Sequence, residues 1–155
     1  MALNAGDGAD AADYWLRVLT NTDYWKADGT LHNAAFGGKA IGQPDARPWS
    51  IEFSGRLLSL VKDVEKEAIE FCGDKMPFAG VMYQSVENLR TDGSAAIPSF
   101  PTNVIYTPKD SDPAHGDLVA YGPSVEHKYA LRDWLQDIIQ AVLPDKCNVV
   151  EQLRR

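Results

Sequence analysis

The stretch Thr102–Gly122, TNVIYTPKDSDPAHGDLVAYG, leaves this chain little conformational choice. β-branched and aromatic residues crowd its two ends, while Pro108 and Pro113 fix φ and remove backbone donors in the middle. It reads as a strand, a polar loop and a second strand, paired antiparallel. Such a pair is not stable alone and requires further strands or helices to cover it.

The rest of the chain supplies them. Trp49, Ile51 and Phe53 alternate with Ser50, Glu52 and Ser54, the period-two mark of a half-buried strand. Gly80–Val86 is apolar on both faces, as a central strand would be. Ala95–Pro101 is apolar too, but Pro98 and Pro101 make it an extended connection. Asn88–Ser94 is polar and carries Asp92-Gly93, a turn signal.

Three segments show helical spacing. Ala12, Trp15, Leu16 and Leu19 follow the possible N-caps Asp7 and Asp10, and Asn21-Thr22-Asp23 ends that pattern. Leu57, Val61, Val64, Ala68 and Phe71 define a helix over about Arg56 to Cys72, stopped by Gly73. Leu131, Trp134, Leu135, Ile138 and Val142 define a third, capped by Ser124 and stopped by Pro144. Asn148-Val149-Val150 adds a short edge strand.

The expected architecture is a single α+β domain over residues 1–155, with a mixed or mainly antiparallel sheet of about four strands and three helices on one face. A loose leader is expected over 1–7 and a tail over 145–155. At 155 residues, 45% of them hydrophobic, the chain can bury a core of its own without metal or disulfide support.

A net charge of −7 opposes nucleic acid and anionic membranes, because both recruit clustered Lys and Arg. No apolar run approaches the length needed to span a bilayer, and no apolar leader suggests export. Cys72 and Cys147 stand far apart and in no CxxC spacing. They read as reduced, buried thiols in a cytoplasmic protein.

The chemistry-bearing residues concentrate in the loop already singled out. Asp110, Asp112, His115 and Asp117 are the right types for a divalent cation, but the series is broken by Pro113, has no closing Glu and lacks HExxH. No metal site and no cofactor are expected. His115 is instead the candidate catalytic residue, with Asp112 or Asp117 orienting one ring nitrogen.

Partner residues for a ligand are Arg17 and Arg47 as cations and Tyr14, Tyr24 and Trp25 as aromatic walls. There is no GxSxG nucleophile elbow, Cys72 reads as structural, and Ser50 or Ser54 could approach His115 only through sheet order. His32 and His127 read as structural. Gly37-Gly38-Lys39 with Gly42 imitates a phosphate loop, but Ala40 follows the lysine where Ser or Thr is needed.

Arg17, Trp25, Ala35-Phe36, Trp49-Ser50-Ile51, Gly80-Val81 and Asp112-Pro113-Ala114-His115, taken in that order, resemble a pattern of small uncharacterised bacterial proteins. The resemblance implies a bacterial, cytoplasmic origin and carries over no catalytic residue. Gly116 departs from the small side chain expected after the histidine.

Two functions fit these residues. The first is an acidic accessory or immunity-like factor that binds a protein partner through that partner's basic patch. The alternative is an enzyme or a binder of a small anion or nucleotide-type ligand, with its pocket around His115.

Overall fold

The computed structural model describes residues 3–37, 39–41, 49–96, 101–122 and 127–154, with backbone alone at 39–41, 49–50, 92–96, 121–122 and 127–128. The domain is α+β and its single sheet is antiparallel throughout. Its strands are β1 (Tyr14–Leu19), β2 (Lys39–Ile41), β3 (Trp49–Leu57), β4 (Gly80–Ser85), β5 (Thr102–Tyr106), β6 (His115–Gly122) and β7 (Gln140–Val142). Six of them run in the order β5-β6-β3-β1-β4-β7, and β2 pairs beside them on β3. The sheet is thus larger than the four strands expected. Among the described residues there are four helices: α1 (Val64–Cys72), α2 (Val86–Ala96), α3 (His127–Ile138) and α4 (Cys147–Glu151).

Helices cover both faces, not one. Trp15, Leu19, Phe53, Leu57 and Leu118 turn to the face where Val86 and Leu89 of α2 and Leu131 and Leu135 of α3 pack. Leu16, Leu58, Val81 and Tyr83 turn to the other face, against Val64 and Ala68 of α1 and Val150 of α4.

This two-sided burial explains the largest correction. Residues 14–19 form a strand, not a helix, because β1 lies between β3 and β4 and needs apolar side chains on both faces. A strand buried twice loses its alternation, and Trp15, Leu16 and Leu19 then imitate a helical stripe.

The segment from Arg56 to Cys72 is divided in the same way. β3 continues to Leu57 because Arg56 still pairs with His115, and a 3₁₀ turn over Leu58–Leu60 follows. The helix starts only after Asp63, whose side chain accepts from Lys66 N at 3.0 Å.

Three further segments differ from expectation. Asn88–Ser94 is helical within α2, where Leu89 is fully buried and tertiary packing overrides a polar composition containing Gly93. The last long helix ends at Ile138, so that Gln140–Val142 can pair with β4. Asn148–Val150 is helical within α4, with Val150 fully buried and Glu151 accepting from Val64 N at the start of α1. The proposed cap Ser124 lies outside the described residues, as do Pro98 and Gly42.

From Gly6 on, the N-terminal segment is hydrogen-bonded to β5. Gly6 N donates to Tyr106 O at 2.7 Å, Tyr106 N to Asp7 O at 2.8 Å, and Ala9 N to Val104 O at 2.8 Å. These bonds lay residues 6–9 along the free side of β5.

Candidate functional site

The site arises where β1 leaves β3. Their register holds only at Trp15↔Leu57 and Leu16↔Arg56, although both strands continue. Gly55 is the reason the strands can approach there at all. A Cβ on it would collide with the Trp15 indole and stand 2.5 Å from Leu16 O. Beyond this crossing the strands diverge as a fork.

Leu57 N donates to Ala114 O at 2.9 Å, so odd-numbered β3 residues bond towards β6 and even-numbered ones towards β1 and β2. Arg56 meets β1, and Ser50 and Glu52 meet β2. Ser54 lies between them, exposed and, among the described residues, with no strand paired on that side.

A cleft of about 800 Å³ occupies the fork. Its floor is Arg17, Val18, Thr20, Ser54 and Gly55; its walls are Arg56, Glu67, Glu70, Phe71 and Met76 on one side and Lys109, Ser111, Asp112, Pro113 and His115 on the other. By strand alternation Arg17 belongs to the face of Trp15 and Leu19, and Arg56 to that of Leu58. The fork lets both reach one cavity.

The two arginines are in different electrostatic states. Arg56 donates from Nε and Nη2 to Asp112 Oδ1, at 3.0 and 2.9 Å, and from Nη2 to Glu67 Oε1 at 3.3 Å. Glu67 is in turn fixed by Lys62 N at 2.6 Å and Asp63 N at 2.9 Å. Arg56 is therefore fully compensated and serves to tie the loop after β5 to α1.

Arg17 has no such compensation among the described residues. It donates from Nη1 to Gly37 O at 2.8 Å, and among the described residues no carboxylate pairs with it. Burial lowers its pKa from the usual arginine value, opposed by the nearby Tyr24. A half-buried guanidinium of this kind can pair with an incoming anion.

His115 and Asp117 share a buried cluster behind the cleft wall. His115 Nδ1 lies 2.9 Å from Thr107 O, which can only accept, so this nitrogen carries the hydrogen. Thr107 Oγ1, itself 2.8 Å from Nδ1, donates to Asp117 Oδ2 at 3.0 Å. His115 Nε2 and Asp117 Oδ1 then face each other at 3.7 Å, both buried and without a hydrogen-bond partner. The imidazole offers the cleft no available nitrogen.

The structure thus brings Arg17, Asp112 and His115 to one cleft, with Asp112 engaged by Arg56, and Asp117 beside His115. Tyr14 lines a different cavity with Asp13 and Ser59. Trp25 donates from Nε1 to Ala79 O at 2.7 Å and packs, like Tyr24, against the larger core cluster. Arg47 lies outside the described residues.

Asp110 and Asp112 do not converge with His115 on a point, and among the described residues no group of three metal-ligating side chains exists. His32 accepts from Ala34 N at 3.1 Å and caps a short 3₁₀ turn. Gly116 faces Leu57, whose Cγ would stand 3.0 Å from an added Cβ.

Sequence reasoning missed Gly55 as a site maker, together with Glu67, Glu70, Phe71 and Met76, and considered Ser54 only for its approach to His115 through sheet order. The Ser54-Gly55 pair at the end of a clean alternation was the available signal. The α1 residues carried none, since charge and exposed apolar groups on a helix are ordinary.

No family model, curated protein or solved structure matches this chain.

Proposed function

We propose that this protein binds a small organic anion in the fork between β1 and β3. The observation that carries the reading is Arg17, a half-buried guanidinium in a cleft with a carbonyl as its partner and, among the described residues, no carboxylate paired with it. Arg56 fixes the cleft wall, and Ser54 adds a hydroxyl and an unpaired strand edge at the floor.

A ligand that binds only the folded state raises the melting temperature, and the gain grows with the logarithm of its concentration over Kd. Acetate, a longer monocarboxylate, a dicarboxylate and inorganic phosphate, titrated at constant ionic strength, test this directly. At least one is expected to raise Tm for the native chain and not for Arg17→Gln. Equal responses in both proteins, or none in either, overturn the reading.

A second reading is a protein partner, in the sense of an accessory or immunity-like factor. It is favoured by Phe71 and Met76 at the cleft rim, 51% and 38% exposed, beside Ile69, also 51% exposed. With a net charge of −7, a partner presenting basic residues around an apolar contact is the expected match.

A further inference from the structure

We infer that the anion taken by the fork is the terminal carboxylate of a peptide chain, so that the cleft is a receptor for the C-terminal end of a partner protein. The inference rests on the anion reading above and specifies its ligand.

The backbone comes first. Ser54 is the β3 position between the β2 pairing, which reaches Glu52, and the β1 pairing, which resumes at Arg56, and among the described residues no strand pairs with its outward backbone groups. Val18 has the parity of Leu16 and faces the same gap from β1. An edge of this kind is completed by main-chain donors and acceptors of an added extended segment. Because β2 and β1 block it at either end, the gap admits one strand residue and not a strand that runs through. A chain end meets that restriction.

The side chains agree with it. A last residue seated at Ser54 places its carboxylate in the cleft that Arg17 also lines, where this guanidinium has no paired carboxylate among the described residues. Its side chain lies towards the rim, where Phe71 and Met76 expose apolar surface that no part of the described chain covers. Upstream residues leave past Glu70, a cleft carboxylate with no ion pair among the described residues. The ligand class is therefore a peptide with a free C-terminus, a large apolar final residue and a basic residue shortly before it.

The test uses the full chain and two fluorescent octapeptides ending in Lys-Ser-Leu, one with a free carboxylate and one amidated, measured by polarisation at low and moderate salt. The free acid is expected to bind at least tenfold more tightly than the amide. Arg17→Gln should erase that difference, while Phe71→Ser should weaken binding of the free acid severalfold. If acetate protects the fold through Arg17 but the free acid and the amide bind alike, the peptide inference fails and the anion reading stands. If neither peptide nor small anion responds to Arg17→Gln, both fail.

Discussion

The Trp15 indole reaches across β3 and donates to Gly116 O on β6 at 3.2 Å, passing over Gly55, the residue paired with Gly116. One aromatic side chain from β1 therefore clamps two further strands, and it can do so only because β3 has no side chain at that point. Trp15 is fully buried, so its N–H needs this partner.

Gly55→Ala tests the clamp. Its methyl would meet both the indole and Leu16 O, and the backbone contact leaves no cheap relaxation. A loss of about 3 kcal/mol is expected, at the upper end of overpacking penalties, read from the urea midpoint. A change within error would show that β1 and β3 can separate freely at the fork.

Arg17 makes the opposite prediction. Replacing it with Met removes a desolvated charge and keeps much of the apolar stem, forfeiting one bond to Gly37 O. Stability should stay equal or rise by about 1 kcal/mol, because a half-buried charge with no paired carboxylate among the described residues is a poor contributor to folding. Anion-dependent stabilisation should vanish in the same variant. A marked loss of stability would mean that Arg17 is a structural residue.

Asp117→Asn addresses the two facing acceptors. With the Asn oxygen accepting from Thr107, its NH₂ group points at His115 Nε2 and supplies the missing donor. A gain of about 1 kcal/mol is expected from chemical denaturation. A loss instead would show that a proton already sits between the native pair.

Cys147 yields the pH dependence. Burial first, and then Glu65, Glu151, Asp63 and Asp145, push its thiol from the ordinary 9.0 up to about 11. The unfolded chain loses this proton at lower pH than the folded one, so folding stability is intact below about 9 and declines as pH rises towards about 11. Denaturation midpoints across that interval should fall more steeply for the native protein than for Cys147→Ala. At pH 8 a thiol reagent should modify Cys147 only after unfolding, since the buried thiol is neutral.

The sequence made some elements plain and disguised others, for definite reasons. The hairpin of β5 and β6 and the strand of Trp49, Ile51 and Phe53 were legible because prolines or a clean alternation marked them. β1 was not, since burial on both faces turned its residues into a false helical stripe. α2 was hidden by Asp92-Gly93, whose turn preference yields to the packing of Val86 and Leu89.

For the site, His115 stood out by chemistry alone, while Arg17 was one arginine among several that its spacing did not single out. What decides their states is non-local. Arg56 holds Asp112 across a separation of 56 residues, and Thr107 holds the His115 ring in place. Neither pairing leaves a spacing to read.

The bonds of Gly6, Asp7 and Ala9 to β5 bear on how this protein behaves in company. Fibres and domain-swapped dimers grow by adding strands to an exposed border, and here that border is already occupied by the chain's own first residues. Proteolytic removal of residues 1–10 would unveil the main-chain groups of Val104 and Tyr106. Growth at the opposite border has only the three residues of β7 to build on. A trimmed preparation should therefore form multimers at concentrations where the intact chain stays dispersed, a difference visible by light scattering.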